Sequence, residues 1–367
     1  MGIVRLLLAL SVLAGHANSI LGLRFVFGVI AVQSFYIISG FYMSLILNEK
    51  YTGHNNSYKL FITNRLLRLY PIYWIVVTLT IFFNFLTFSL VGTRGISEQY
   101  FAFFLNREDI NILSMLFLVF TNIAILSQDI VSFLGFNTTD GSIYITSDYL
   151  TVPYPLYKFL YVPQAWTVSI ELMFYLIAPF LVKRSVFILS LLITISLGLR
   201  LILYGQGLNH DPWTYRFFPT ELAFFLAGCL SYKFYRRIKD HNFNRIYLMI
   251  SFVLLVSYTM SFQFIAASYL IKQWIYYAIL ALSLPFIFIL TKNNRIDRFT
   301  AELSYPVYIS HMLVIFVLHS LNFNNNGYYF GLMVGVVTIL VSVLLVEWVV
   351  KPVDNRRQKR LLHQKNI

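Results

Sequence analysis

Charged side chains are scarce in this sequence, and acidic ones are the scarcest. Only 12% of the 367 residues are charged, with 15 Asp and Glu against 28 Lys and Arg, whereas 58% are hydrophobic and 18% are aromatic. Soluble domains carry about twice that fraction of charged residues. Together with the positive mean hydropathy, this composition excludes a water-soluble globule and predicts a polytopic membrane protein.

Cysteine is almost absent as well. The single Cys229 lies in an apolar stretch, which excludes an internal disulfide framework. We expect this side chain to pack as a small hydrophobic group and to take part in no thiol chemistry. No metal cofactor is expected either.

The net charge of +13 does not form a nucleic-acid-binding stripe. Lys and Arg cluster in short segments between apolar runs, which is the positive-inside pattern of membrane proteins. We therefore expect membrane lipids, and no nucleic acid, among the partners.

Long apolar runs dominate the remainder of the sequence. Runs of roughly 17 to 25 apolar residues are long enough to cross a bilayer as helices, and they predict an all-α polytopic transmembrane helical bundle with about ten spans. The predicted spans are 3–20, 25–48, 70–91, 166–182, 185–204, 218–235, 246–264, 271–290, 304–321 and 328–350. We expect one membrane-embedded domain over residues 1–350 and a basic cytoplasmic tail over residues 351–367.

The distribution of charge indicates whether an eleventh apolar run, 111–127, crosses the membrane. The basic clusters become cytoplasmic together only if both termini are cytoplasmic and the number of full crossings is even. We therefore predict that 111–127 is re-entrant or lies at the outer interface. The long connection 92–165 would then lie outside, and its aromatic residues suit either carbohydrate stacking or the aromatic belt of a membrane interface.

The first apolar segment carries two polar residues on one helical face. Arg5 and His16 are separated by roughly three helical turns plus 20°, or about 16 Å along the axis. An ionisable residue inside a span is a candidate functional site, and histidine titrates near neutral pH. His16 is thus a candidate base or, alternatively, a polar group that bonds a neighbouring helix. A signal peptide cleaved near His16 is disfavoured, because the segment has one Arg and is followed by another span.

A second pair of cations precedes the third predicted span. Arg65 and Arg68 lie at positions i and i+3, just before Pro71. Two guanidinium groups on one helical face at a membrane entrance suit a phosphate. The alternative is that they anchor lipid headgroups.

Seven segments of the chain form a recognisable ordered set. They are Arg5 with His16; Phe35–Phe41 (FYIISGF); Arg65–Pro71 (RLLRLYP); Trp166–Glu171 (WTVSIE) followed by Phe174, Tyr175 and Pro179; Arg216 with Glu221 and Gly228; Ser304–His311 (SYPVYISH); and Glu347 with Pro352. The set resembles the motifs of the integral-membrane acyltransferase 3 family, the O-acyltransferases that modify bacterial surface glycans. The resemblance covers nearly the whole chain.

The resemblance implies a membrane O-acyltransferase in the bacterial cytoplasmic (inner) membrane. The donor would be acetyl-CoA or another acyl-CoA, with Arg5, Arg65 and Arg68 bound to its phosphates on the cytoplasmic side. The acceptor would be a hydroxyl of an extracytoplasmic or lipid-linked glycan. His16 fits the general base that takes the hydroxyl proton, and an acyl-histidine intermediate is the variant mechanism.

Glu171 and His311 complete the expected catalytic set. His311 is expected to lie deeper than His16, where it would orient substrate, relay a proton or brace two helices. Glu171 is expected to pair with Arg216 or to orient His16, because an unpaired carboxylate in a membrane is costly. Gln33 stands where many members of the family carry an aspartate, so the surrounding polar network is expected to differ.

Two other classes of function also fit a polytopic chain. A transporter or flippase for a lipid-linked sugar would also have polar residues inside its spans, but the two halves of this sequence show no repeat. A scaffold protein without catalytic activity would not explain the presence of His16 and the arginines. Specific acyl-CoA binding favours the enzyme, whereas ion-coupled glycan uptake favours the carrier.

Overall fold

The computed structural model describes residues 1–51, 57–92, 96–97, 99–102, 110–323 and 328–365. The predicted all-α bundle is confirmed, with one small antiparallel sheet of β1 (Leu134–Phe136) and β2 (Ile143–Ile145). The helices are α1 (Gly2–His16), α2 (Gly28–Glu49), α3 (Ser57–Val91), α4 (Ile112–Ala124), α5 (Trp166–Leu181), α6 (Val186–Gly205), α7 (Phe218–Ile238), α8 (Arg245–Ser261), α9 (Tyr269–Thr291), α10 (Arg295–Ser320), α11 (Phe330–Leu345) and α12 (Lys351–Lys365).

Eight helical segments of the described residues are long and apolar enough to cross a membrane, and each overlaps a predicted span. The other two predicted spans, 3–20 and 218–235, are helical but differ in character. α1 has 15 residues and ends at His16, because several of the residues that follow adopt left-handed backbone conformations. α7 carries Glu221 and three basic residues near its end. The number of crossings and the side of each terminus stay predictions.

Two helices extend beyond the predicted spans. α3 begins at Ser57, before the predicted span 70–91, and it continues through Pro71. The proline removes one backbone donor, and contacts of α3 with α10 and α12 hold the basic first turns in helical form. Likewise, no break occurs at residue 350, because a π-helical turn, Val346–Val350, joins α11 to α12.

The apolar run 111–127 forms the short helix α4. Its 13 residues extend about 20 Å, less than the roughly 30 Å of a bilayer core. The last backbone carbonyls of a helix have no donors within the helix. For α4, side chains of α3 supply these donors. Tyr73 donates to the Asn122 carbonyl at 2.5 Å and Trp74 to the Ile123 carbonyl at 3.0 Å. α4 therefore has the length of a helix that enters or lies on a bilayer without crossing it.

Close helix packing places the residues of the site. α1 and α10 run parallel, since the Met1 amino group lies 2.6 Å from the Asp297 carboxylate at one end and His16 contacts His311 at the other. α2 and α7 approach at glycines: a Cβ on Gly228 would lie 1.9 Å from the Ile37 carbonyl oxygen. Cys229 beside it is a buried free thiol.

Candidate active site

A cavity of about 700 Å³ lies where α1 and α10 begin, between α1, α2, α3, α5, α9, α10 and α12. We call this side of the bundle the arginine end. Basic side chains line the cavity, and three of those at its rim are exposed. The lining cations are Arg5, Lys50, Arg65, Arg68, Lys292, Arg298 and Arg357.

The three arginines predicted to bind the donor all line this cavity. Among the described residues, no carboxylate lies within ion-pair distance of Arg5, Arg65 or Arg68. Arg65 is 5% exposed, and the Nε atoms of Arg5 and Arg65 are buried without a hydrogen-bond partner. Buried unpaired donors are costly. The arrangement therefore suits an anion that enters the cavity.

Glu171 also lines the cavity, but its predicted partners are wrong. Ser39 donates to its carboxylate at 2.6 Å, and the Tyr175 hydroxyl donates to the same oxygen. Arg216 instead donates to the Asp211 carboxylate at 2.8 Å and stacks 4.4 Å from the Trp166 ring. Arg216 lies beside the Trp166 ring, whereas Glu171 lies five residues, or about 7.5 Å, further along α5. The two side chains therefore lie at different depths in the bundle.

A buried acid, Glu221, explains the glutamine at position 33. Arg200 pairs with Glu221 at 2.5 Å, and the Gln33 amide donates to both oxygens of that carboxylate at 3.1 and 3.0 Å. The Gln33 carbonyl oxygen accepts from Tyr277. An aspartate at position 33 would place a second negative charge against Glu221, whereas the amide supplies donors to it.

The two predicted histidines, 295 residues apart, are in direct contact. His16 Nδ1 lies 2.9 Å from His311 Nε2, and His311 Nδ1 lies 2.7 Å from the Tyr308 carbonyl oxygen. His311 is 0% exposed, whereas His16 is exposed, so His311 lies deeper. We call this side of the bundle the histidine end.

These contacts fix the tautomer of both rings. A carbonyl oxygen only accepts, so His311 Nδ1 must carry the proton and the Nε2 of the neutral ring must be the acceptor. His16 therefore donates from Nδ1. Its Nε2 lone pair has no hydrogen-bond partner among the described residues and is free to accept a proton.

The inner end of the cavity lies close to the histidine pair. Phe35, Tyr36, Thr167 and Tyr308 line this end. Thr167 donates to the Tyr308 hydroxyl at 2.9 Å, and the rings of Tyr308 and His311 are 6.0 Å apart between centroids. The cavity thus ends one side chain from His311, although neither histidine lines it.

Loops at the histidine end surround Arg216 with aromatic rings. The guanidinium carbon lies 4.4 Å from the Trp166 ring and 5.4 Å from the Tyr149 ring. Tyr149 donates to Asp211 at 2.8 Å. Only the Nε of Arg216 donates to Asp211, so the rest of the guanidinium fork is left for other acceptors. Sequence reasoning did not connect these loops, because the residues lie far apart in the chain.

Asp129 links the long connection that precedes α5 to that helix. Its carboxylate accepts a hydrogen bond from Ser169 at 2.7 Å. Burial raises the pKa of Asp129 above its ordinary value, and the hydrogen bond from Ser169 opposes that rise. The bond holds the start of α5, and with it the stretch from Trp166 to Glu171, against the loop.

The comparisons with known proteins identify the family of the chain. The acyltransferase-domain model of the acyltransferase 3 family matches residues 1–350. No curated protein and no solved structure matches the chain. The match includes Arg5, Arg65, Arg68, the histidine pair and seven of the eight candidate membrane helices in full. The chain belongs to the acyltransferase 3 family and is a multi-pass membrane acyltransferase.

Proposed function

We propose that this protein transfers an acyl group, with acetyl as the first expectation, from acyl-CoA to a hydroxyl of an extracytoplasmic or lipid-linked glycan. The observation that carries the proposal is the geometry of the histidine pair. One imidazole nitrogen, on His16, is left free to take a proton, and the His311 ring that this histidine contacts lies one side chain from the inner end of an arginine-lined cavity.

The donor occupies the cavity from the arginine end. A volume of about 700 Å³ lies within the usual range of small-molecule sites. Arg5, Arg65 and Arg68 bind the phosphates of CoA through charge-assisted hydrogen bonds. The pantetheine arm extends towards Tyr308, between apolar and aromatic side chains, and presents the thioester near the histidine pair.

His16 acts as the general base. Its Nε2 takes the proton of the acceptor hydroxyl while that oxygen attacks the thioester carbonyl carbon, and the imidazolium forms with its Nδ1–H still donated to His311. The C–S bond then breaks, the sulfur leaves, and the proton passes from His16 to the thiolate. The products are the glycan ester and free CoA, so protons and charge balance.

The acceptor approaches from the histidine end. His16 is exposed there, so a glycan hydroxyl can approach its ring from that side. The proposal is therefore vectorial: with the arginine end in the cytoplasm of a bacterium and the histidine end at the outer side of its inner membrane, donor and acceptor meet from opposite sides.

The test is acyl transfer by the purified protein in lipid nanodiscs. Radiolabelled acetyl-CoA is the donor, and glycolipid extracted from the source membranes is the acceptor pool. A positioned base typically contributes 10²- to 10⁴-fold, so His16→Ala is expected to reduce transfer by about that factor without loss of acetyl-CoA binding. His319→Ala, an exposed histidine on the same helix as His311, is the matched control and should retain activity.

Near-normal transfer by His16→Ala would overturn the assignment of the base. Uptake of glycan driven by an ion gradient, without any labelled ester, would instead favour the carrier. Mass spectrometry of surface glycans from cells with and without the gene identifies the acyl group and the modified hydroxyl.

A further inference from the structure

The inner end of the cavity holds a tyrosine hydroxyl that has no hydrogen-bond partner. Tyr36 on α2 lines the cavity and is 2% exposed. Its hydroxyl is buried, and no group among the residues that the structure describes accepts its proton. A buried hydroxyl without a hydrogen bond is costly. This hydroxyl is therefore a candidate for contact with a ligand.

Helix geometry places Tyr36 beside Thr167. The Thr167 hydroxyl and the ring of the residue before Tyr36 both contact Tyr308, whereas Ser39 contacts Glu171 further along the two helices, so α2 and α5 run in the same direction from the inner end. Counted back from the contact of Ser39 with Glu171, Tyr36 lies about 4.5 Å and Thr167 about 6 Å away along their axes. The two residues thus lie at nearly the same depth. Helical side chains tilt towards the N-terminus, which directs the Tyr36 hydroxyl towards the histidine end.

The other hydroxyls at this end already have acceptors. Tyr308 donates to the Gln164 carbonyl oxygen at 3.2 Å. Thr167 has one proton, which it donates to the Tyr308 hydroxyl at 2.9 Å or to the Gln164 carbonyl oxygen at 3.1 Å. Phe35 has no donor. Of the four described side chains at the inner end, Tyr36 therefore supplies the uncommitted O–H.

The proposed reaction needs a donor at this place. When the acceptor oxygen attacks the thioester, one electron pair of the C=O bond moves onto the carbonyl oxygen and leaves a negative charge there. A hydrogen-bond donor already aimed at such an oxyanion typically contributes about 10²- to 10³-fold to kcat. A tyrosine hydroxyl keeps its proton near neutral pH, so it can donate without transferring that proton.

We propose that the Tyr36 hydroxyl donates a hydrogen bond to the thioester carbonyl oxygen and stabilises the oxyanion that forms from it. This inference rests on the proposed function, which places the thioester at the inner end. The Tyr36 proton stays on its own oxygen throughout. When the C–S bond breaks, the electron pair of the oxyanion re-forms the C=O bond, and the leaving thiolate takes the proton from His16. Tyr36 is then a catalytic residue beside the base.

Tyr36→Phe is the decisive variant, because it removes only the hydroxyl and keeps the ring, which stacks 4.6 Å from the Phe225 ring. In nanodiscs, kcat for acetyl transfer is expected to fall by about 10²- to 10³-fold, whereas acetyl-CoA binding, measured by calorimetry, should change far less. The melting temperature should not fall, because the lost hydroxyl has no partner to leave unpaired.

Tyr276→Phe is the matched control. It makes the same change at a buried tyrosine of α9 whose hydroxyl bonds that of Thr259 at 2.9 Å and which does not line the cavity. Because this hydroxyl has a partner, Tyr276→Phe should lower the melting temperature and leave kcat unchanged. The two variants thus separate catalysis from stability.

Infrared spectroscopy of bound acetyl-CoA with an isotope-labelled acetyl carbonyl gives a second readout. A hydrogen bond to a carbonyl oxygen lowers its stretching frequency. The labelled band should therefore lie at higher frequency in Tyr36→Phe than in the wild type, and at the wild-type frequency in Tyr276→Phe. A purely structural role of Tyr36 would not move this band.

The outcomes separate this inference from the proposed function. If Tyr36→Phe has near-normal kcat, or if its labelled band coincides with that of the wild type, the role of Tyr36 is wrong while acyl transfer stands. If the wild-type protein neither binds acetyl-CoA nor transfers its label, the proposed function fails, and the role of Tyr36 fails with it.

Discussion

At the scale of single residues, one backbone carbonyl determines which histidine nitrogen is free to accept a proton. The Tyr308 oxygen accepts from His311 Nδ1, and this forces His311 Nε2 to accept from His16. The arrangement resembles the way a buried acid orients a catalytic histidine, but here the orienting group is a neutral imidazole. In the proposed mechanism His311 is thus a positioning residue, since it holds the ring that is proposed to take the proton.

This role predicts a difference between two substitutions of His311. His311→Phe removes the acceptor for His16 Nδ1–H and leaves its tautomer free, so kcat should fall by about 10²-fold or more. His311→Gln keeps an acceptor oxygen and should recover part of kcat. Acetyl-CoA binding, measured by calorimetry, should change in neither variant, because the donor cations lie at the arginine end. Equal activity of the two variants would reduce His311 to a packing residue.

The residues themselves were predictable from the sequence, but their partners were not. The spacing of Arg5 and His16 within one helix, and of Arg65 and Arg68 within another, is a local property, and the resemblance added Glu171 and His311. The contact of His16 with His311 depends on two parallel helices 295 residues apart in sequence. The predicted pairing of Glu171 with Arg216 was wrong, since sequence distance does not show that Asp211 competes for that arginine.

At the scale of secondary-structure elements, the contact of α2 with α7 fixes the cavity wall. Phe35 and Ser39 on α2 face the cavity, and on the same helix Gly40 approaches Phe225 as closely as Gly228 approaches Ile37. Small residues allow backbones to approach in membrane bundles. The glycine of the SGF segment is therefore required by helix packing, and it sets where Ser39 meets Glu171.

A methyl group at this contact should be destabilising. In Gly228→Ala the added Cβ would lie 1.9 Å from a backbone oxygen of α2, and overpacking of this kind costs about 1–3 kcal/mol. We expect a lower melting temperature in nanodiscs and reduced transfer, because α2 must move away from α7. Gly198→Ala on α6 is the control: its Cβ meets nothing within 4 Å, and it should be neutral or stabilising. Equal melting temperatures would contradict the importance of this contact.

Helix existence was predictable and helix ends were not. The apolar runs identified the membrane helices because their length is set by the bilayer. The early start of α3 and the continuation of α11 into α12 lie in basic segments, where hydropathy gives no signal and tertiary contacts decide. Arg357 was missed for the same reason, although Asp354 three residues before it was a sign that the tail is helical.

At the scale of the whole molecule, both ends of the chain lie at the arginine end. Met1 is paired with Asp297 at the start of α10, and Arg360 of the tail contacts α3 at residues 63 and 64. The cavity cations lie at the same end. Because basic segments remain in the cytoplasm, the vectorial proposal requires this end to be cytoplasmic and the aromatic loops around Arg216 to be external.

Topology reporters test that requirement. A reporter fused at Ile367 and one within residues 49–59 should read cytoplasmic, and one near Asn325 should read external; residues 52–56, 324–327 and 366–367 lie outside the part of the chain that the structure describes. A reporter after Asp140, in the exposed turn between β1 and β2, should also read external, because the loop around this turn packs with Trp213 and Asp211 at the histidine end. If the reporters at Asp140 and Ile367 read the same side, donor and acceptor would have to enter from one side of the membrane. The assignment of opposite ends to the two substrates would then fail, even if acyl transfer itself were demonstrated.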